Sequence, residues 1–132
     1  MSVRTRDELA AHLEDLLRPL GAIRLRRMFG GYGIYADEIF FAVVVDEQLY
    51  FKSDALSRAS YESAGLEEWV YAKDGRPVRM SYFRPPEDIY EDEESLRHWG
   101  RLALDAALRA RKPARPAAKP KPRAKAASRR PR

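Results

Sequence analysis

The chain has 132 residues, of which 45% are hydrophobic and 34% charged, and it contains no cysteine. This length and apolar content suffice for one domain with one core, whereas the lack of cysteine excludes disulfides, thiolate metal ligands and a thiol nucleophile. The N-terminus is charged rather than a signal peptide, and no apolar run approaches the ~20 residues that cross a bilayer, so we expect a cytoplasmic protein with no membrane partner.

The net charge of +5 is the sum of two segments with opposite signs. Residues 111–132 hold ten Lys/Arg and no acid, which leaves fifteen Lys/Arg against twenty Asp/Glu in residues 1–110. Five prolines among Ala, Lys and Arg predict that the basic segment is disordered. We therefore expect a folded acidic domain, residues 1–110, followed by a disordered Lys/Arg/Pro/Ala-rich tail, residues 111–132.

The first predicted element is an amphipathic helix. Thr5 and Glu8 have the spacing of a capping box, and Pro19 and Gly21 end the helical pattern. Leucines recur on one helical stripe, which needs a sheet or another helix to cover it. The stripe consists of Leu9, Leu13, Leu16, Leu17 and Leu20.

Four strands joined by short turns are expected next. Residues 22–28 alternate, and residues 32–35 and 49–52 are short aromatic-rich strands. Residues 39–45 have no polar break, which predicts a central strand covered on both faces. The turn at Asp37-Glu38 lacks the glycine that favours a two-residue type I′ hairpin, which leaves a longer loop or a shifted register open.

A short helix should follow, capped by Ser53 or Asp54 and running to about Ser63. Its inward residues would be Leu56 and Ala59, and Gly65 would end it.

Two more strands and a last helix complete the pattern. Residues 69–71 and 78–83 are strands, and Asp74-Gly75 between them is a strong hairpin signal. The last helix begins within the acidic residues 88–94, where negative charge is favourable. Gly100 lies on its inner stripe and allows close approach. The other stripe residues are Leu96, Trp99, Ala103, Leu104, Ala107 and Leu108.

The order is therefore helix, three or four strands, helix, two strands, helix. Strands joined by short turns pair antiparallel, and the end helices need a shared apolar face. We predict an α+β fold, a two-layer sandwich of a mostly antiparallel sheet with the helices packed on one face.

A glycine-rich stretch lies between the first two strands. Gly30, Gly31 and Gly33 predict a structural turn or bulge, in which the backbone takes positive φ or lies close to another group; positive φ at Gly31 or Gly33 is one hypothesis. A phosphate-cradling loop is the alternative, but such a loop opens a helix and brings a Lys with Ser/Thr, whereas strands flank this one.

Three motifs occur in order: Met-Phe-Gly-Gly-Tyr-Gly-Ile-Tyr from Met28, Phe-Ala-Val-Val from Phe41 and Leu-Tyr-Phe-Lys from Leu49. Together with the segment from Met80 to Pro86 and the later Trp99, they resemble the N-terminal domain of the TfoX/Sxy family, regulators of natural competence. The resemblance covers roughly residues 9 to 108 and implies the same α+β fold. Full-length members continue into a second, helical domain, where this chain carries its basic segment.

Two groups of residues are candidates for binding nucleic acid. Arg24, Arg26 and Arg27 are one group, with Tyr32 and Tyr35 as stacking surfaces; pairing with nearby acids is the simpler interpretation. The tail is the other, because flexible cationic segments bind DNA or RNA by releasing counterions. Its cations are Arg111, Lys112, Arg115, Lys119, Lys121, Arg123, Lys125, Arg129, Arg130 and Arg132.

The sequence predicts no catalytic residue, metal ligand or cofactor. His12 and His98 are the only histidines, and both lie on helical segments without an obvious nucleophile. The acidic residues 91–94 lack the spacing of a calcium loop.

We therefore expect a non-enzymatic regulatory or interaction module, which the resemblance relates to regulators of competence gene expression. One alternative is a nucleoid-associated or non-specific nucleic-acid-binding protein that acts through its tail. A second is a small-molecule enzyme. The candidate partners are DNA or RNA, a regulatory protein and a second copy of the chain in a homodimer.

Overall fold

The structure is a computed structural model that describes residues 6–28 and 30–111. Three helices and six strands occur in these residues, together with two short 3-10 turns. The elements in chain order are α1 (Arg6–Leu16), β1 (Ile23–Met28), β2 (Gly31–Ala36), β3 (Ile39–Val45), β4 (Gln48–Lys52), α2 (Arg58–Ser63), β5 (Glu68–Lys73), β6 (Arg76–Phe83) and α3 (Glu93–Arg111).

The six strands form one antiparallel sheet in the order β1-β2-β3-β4-β6-β5. The first four strands are a meander, and β6 then joins β4, which leaves β5 and β1 at the two edges. α3 packs on β3 and β4, and α1 packs beside β1. The predicted α+β fold with an antiparallel sheet is confirmed.

The core lies between the helices and one face of the sheet. The leucine stripe of α1 supplies Leu13 and Leu17, and α3 supplies Leu96 and Ala103, all of them buried. Fully burying a leucine-sized side chain contributes about 1.5–3 kcal/mol, so these stripes hold the two layers together. In α3, Gly100 lies against Leu20, since an added Cβ would come within 2.6 Å of that side chain. None of the helices in the described residues has the length and hydropathy needed to cross a bilayer.

A two-residue turn joins β2 to β3 even though it lacks glycine. Asp37 and Glu38 both have positive φ, at 50° and 67°. Two sets of contacts offset this strain: Asp37 Oδ1 accepts a hydrogen bond from the Ala22 N–H at 3.0 Å, and the Arg24 guanidinium donates to Glu38 at 2.7 and 3.1 Å. Of the two options left open by the sequence, the longer loop is therefore wrong.

A shifted register is present one step further along the same pair of strands. Ile34 pairs with Ala42, whereas Tyr35 pairs with Phe40, so Phe41 is an extra residue in β3. This bulge turns Phe41 into the core, where its side chain is fully buried and its ring lies 5.8 Å from that of Phe51.

The glycine-rich stretch differs from the prediction in one respect. Gly30 has the positive φ, at +74°, whereas Gly31 and Gly33 lie in β2. The latter two are needed for close approach: a Cβ on Gly31 would overlap the Val44 carbonyl oxygen, and one on Gly33 would lie 2.5 Å from Met28 Cε. Positive φ at Gly31 or Gly33 is therefore wrong, because strand packing rather than a turn demands these glycines.

We expect Gly31→Ala to lower the free energy of unfolding by about 1–3 kcal/mol, because the new methyl group meets backbone that cannot move aside. Gly33→Ala should cost less, since the end of the flexible Met28 side chain is the nearest obstacle. Urea unfolding of both variants measures the difference. An unchanged unfolding midpoint for Gly31→Ala would contradict this packing.

The second helix begins later than predicted. Asp54 Oδ1 accepts hydrogen bonds from the N–H groups of Leu56 and Ser57, so a turn occupies the expected first turn of the helix. This delay changes the helical phase: Ala59 is exposed and Leu56 is 74% exposed, while Tyr61 is fully buried. The inward assignment of Leu56 and Ala59 is therefore wrong. Leu108, assigned to the inner stripe of α3, is likewise 45% exposed.

Candidate interaction surface

The face of the sheet opposite the helices is covered by no helix in the described residues. The strand register places a set of largely apolar and aromatic side chains there, and we call this surface the open face. Its members are Arg24, Arg26, Met28, Tyr35, Phe40, Val43, Val45, Tyr50, Lys52, Trp69, Met80 and Tyr82.

An apolar groove of about 170 Å³ crosses the open face. Met28 and Phe40 line one side, Trp69 and Met80 line the other, and Val43 lies in its floor. Val43 is only 7% exposed, while the surrounding side chains are half-buried. Half-buried aromatic and methionine side chains around an apolar groove are typical of a surface that contacts another molecule.

Aromatic rings stack across the strands of the open face. Tyr35 and Phe40 have ring centroids 5.1 Å apart, and Trp69 lies 5.8 Å from Tyr50 and 6.2 Å from Tyr82. Such pairs add about 0.5–1.5 kcal/mol beyond the area they bury. The aromatic side chains are thus held in fixed positions, which lowers the entropic cost of binding a partner.

The arginines of β1 are divided between the two faces. Arg24 lies over the Tyr35 ring at 4.4 Å and also pairs with Glu38, whereas Arg27 lies 5.8 Å from the Tyr32 ring on the helix side. The Tyr32 side chain is 7% exposed and cannot stack with a base. The five residues predicted as one nucleic-acid site are therefore not brought together, and the ion pair of Arg24 matches the simpler interpretation.

A buried carboxylate fixes the β5–β6 hairpin to α2. Glu68 has a side chain that is 6% exposed, and it accepts hydrogen bonds from Arg58 at 2.7 and 2.9 Å and from Arg79 at 2.7 Å. The Ser81 N–H also donates to it at 3.0 Å, where Ser81 has a positive φ of 63°. The hydrogen bonds from Arg58, followed by those from Arg79 and Ser81, lower the pKa of Glu68 to about 2.

A second carboxylate ties the turn that precedes α2 to the end of α3. Arg109 donates to Asp54 at 2.6 and 2.9 Å. This pair, with the hydrogen bonds from the Ser57 backbone and hydroxyl, lowers the pKa of Asp54 to about 2. The last turn of α3 is therefore anchored immediately before the basic segment.

The two histidines are on the surface, as predicted. His12 stacks on Tyr90 at 6.4 Å, and His98 meets the edge of Trp99 at 5.1 Å.

Within residues 6–28 and 30–111, no group of three or more His, Asp or Glu side chains is arranged to hold a metal ion. Within the acidic residues 91–94, Asp92 accepts hydrogen bonds from the N–H groups of Glu94 and Ser95 and so caps α3.

One of the ten cations assigned to the tail lies in the described part of the chain. Arg111 is exposed in the last turn of α3. The other nine, Lys112, Arg115, Lys119, Lys121, Arg123, Lys125, Arg129, Arg130 and Arg132, lie outside the described residues.

Sequence reasoning missed the open face and Glu68. The expected cover on both faces of β3 is wrong, because Phe40 and Val45 are half-buried beside the groove on the face that no described helix covers. Alternation in β4 carried a signal, because Tyr50 and Lys52 alternate along the strand with the core residues Leu49 and Phe51. Glu68 had no such signal, since its two arginine partners are ten and eleven residues away in sequence.

Comparison with known proteins agrees with the sequence motifs. The model of the TfoX N-terminal domain matches residues 15–107. Protein Sxy of Escherichia coli (strain K12) is 34% identical over 97 residues, which cover 73% of this chain and 46% of Sxy. DNA transformation protein TfoX1 of Aliivibrio fischeri is 29% identical over 90 residues, or 65% of this chain and 43% of TfoX1. The chain thus spans less than half the length of these relatives.

Proposed function

This chain belongs to the TfoX N-terminal domain family, and from that premise we propose that it is a non-enzymatic regulatory module for genes used in DNA transformation. The proposal draws on the relative named as a DNA transformation protein. Its proposed location is the cytoplasm, because a regulator of gene expression works beside the DNA.

The open face is the observation that carries the proposal. Six strands present ordered aromatic side chains and an apolar groove on the side that the helices leave uncovered. Such a surface supports contact rather than catalysis: the aromatic side chains supply large contact area with little loss of conformational freedom, and the methionines adapt to the shape of a partner. We propose that a regulatory protein binds there.

The two carboxylates with lowered pKa values are suited to a structural role rather than to acid–base catalysis. A general acid or base works best with a pKa near the operating pH. Arginine partners move the pKa of Glu68 and of Asp54 the opposite way, to about 2. These two groups therefore act as permanent anions that hold the fold together.

Deleting the gene and measuring all transcripts tests the proposed function. We expect the transcripts of DNA-uptake genes to change and the full chain, supplied from a plasmid, to restore them. Residues 1–111 alone should also restore them if the open face carries the function. Unchanged transcripts in the deletion strain would contradict the regulatory role.

A second candidate function is non-specific binding of nucleic acid through the basic tail. It rests on the ten cations of residues 111–132 and on the surface position of Arg111, where the segment begins. In that case residues 1–111 would fail to restore the transcripts while the full chain succeeds.

A further inference from the structure

The β5–β6 hairpin is attached to the rest of the sheet over a short distance. Register pairs between β4 and β6 occur at Phe51 with Phe83 and at Lys52 with Tyr82. Beyond Tyr82, towards the hairpin turn, β6 pairs with β5 and no longer with β4. We call residues 70–79 the hairpin arm.

The hairpin arm exposes apolar side chains on both of its surfaces. All ten of its residues are exposed, with Val70 at 50%, Tyr71 at 52% and Val78 at 39%. Tyr71 is opposite Val78 in the register, and Val70 is on the other surface because successive strand residues alternate. A two-stranded hairpin that packs on no third strand or helix is only marginally stable in water. We therefore expect another strand to pair with the hairpin arm.

The outer edge of β5 is open to another strand, whereas the other edge of the sheet is not. β1 carries three arginines, and charged side chains of this kind discourage edge pairing. From Trp69 to Ala72, β5 has neither a charge nor a proline. The only proline of the hairpin, Pro77, is in β6. Because no strand of residues 6–28 and 30–111 pairs with the outer edge of β5, the backbone groups at this edge are available to another strand, beside apolar side chains.

We propose that β5 pairs antiparallel with β5 of a second copy of the chain, across a twofold axis at Val70. Charge favours this occupant: Glu67, which is 74% exposed and also pairs with Arg84 of its own copy at 2.8 Å, and Lys73 lie three residues on either side of Val70. Antiparallel self-pairing brings each Glu67 opposite Lys73 of the other copy, and each Tyr71 opposite Trp69 of the other copy. A twofold axis perpendicular to the sheet places both open faces on the same side of one twelve-stranded sheet. This inference does not depend on the regulatory role.

The absence of cysteine makes the axis directly testable. We expect full-length Val70→Cys to form a covalent dimer with a short bis-maleimide cross-linker at micromolar concentration. Leu56→Cys is the matched control, since Leu56 is 74% exposed in the turn before α2, away from β5, and it should give no covalent dimer. Equal cross-linking of both variants, or cross-linking of neither, would overturn the proposal.

A charge exchange tests the register. In sedimentation equilibrium the unmodified chain should have twice its 15.2 kDa mass at tens of micromolar. Lys73→Glu should weaken the dimer at least tenfold, because it places a glutamate opposite Glu67 of the other copy. Glu67→Lys combined with Lys73→Glu should restore the dimer. Near-UV circular dichroism verifies that each variant is folded. A monomer at all concentrations, or a monomer whose β5 edge instead binds a foreign peptide, overturns the proposal, as does a double variant no tighter than Lys73→Glu.

Discussion

Replacing Glu68 with alanine should lower the free energy of unfolding by about 3 kcal/mol, the lower end of the cost of breaking a buried ion pair. The substitution leaves Arg58, whose side chain is 27% exposed, with Glu62 at 3.3 Å as its carboxylate partner and with the Phe83 ring at 5.2 Å. It also removes the acceptor of the Ser81 N–H, and so the contact that offsets the positive φ of Ser81.

Glu67→Ala is the matched control for this substitution. Glu67 is the preceding residue and pairs with Arg84 at 2.8 Å, but its side chain is 74% exposed. Surface pairs of this kind contribute about 0–1 kcal/mol. Urea unfolding at neutral pH measures both variants. Equal losses for Glu67→Ala and Glu68→Ala would show that burial of the Glu68 network contributes nothing.

The same carboxylate makes stability depend on pH in acid. The pKa of Glu68 is about 2 in the folded protein and has an ordinary value of 4.5, so the unfolded chain binds its proton first as the pH falls. The stabilisation is therefore complete above about pH 4.5 and is lost as the pH approaches 2. Asp54 adds to this loss in the same direction, from an ordinary value of 3.8. We expect Glu68→Gln to be less stable at pH 7 and to lose less stability than the unmodified chain between pH 5 and 3.

Removing residues 111–132 should abolish binding to nucleic acid rather than halve it. The ten cations of that segment supply the attraction, while the remaining residues hold twenty acids against fifteen Lys/Arg and repel phosphate. If about half the cations engage duplex DNA, log K against log salt should have a slope on the order of −4 to −5. Sequence preference should be near absent, because the segment has no aromatic residue to stack on bases.

Fluorescence anisotropy with labelled duplexes of two unrelated sequences, from 50 to 300 mM salt, measures both the slope and the preference. Full-length Arg24→Gln/Arg26→Gln is the control and should bind as the unmodified chain does. Two results would contradict the proposal: a truncated chain that still binds DNA, or binding by the full chain that ignores salt. The first would move the site to the arginines of β1.

The order of the helices and strands could be predicted from the sequence, because local sequence signals and tertiary packing favour the same structure in these elements. The leucine stripe of α1, the apolar run of β3 and the Asp74-Gly75 turn each specify a structure within a few residues. Turn chemistry was less decisive. Asp37-Glu38 forms a tight turn against its preference because distant groups, Ala22 and Arg24, bind both side chains.

The parts of the site that were not predicted depend on contacts between residues distant in sequence. Gly31 is required by the Val44 carbonyl in the neighbouring strand, which no local glycine pattern reveals. The open face likewise exists because the three helices of the described residues pack on the other side of the sheet. Trp69 reaches Tyr50 only because β6 pairs with β4, a crossover past α2.

The most direct test of the proposed function is to restore transcription with a chain altered only on the open face. Phe40→Ser/Tyr50→Ser removes two half-buried rings there, and Leu108→Ser removes an exposed side chain from α3 as the matched control. Both should unfold cooperatively in urea, which verifies that they are folded. In the deletion strain, we predict that the Leu108 variant restores the transcripts of DNA-uptake genes and that the open-face variant does not. Full restoration by a folded open-face variant would contradict the proposal that this surface carries the regulatory contact.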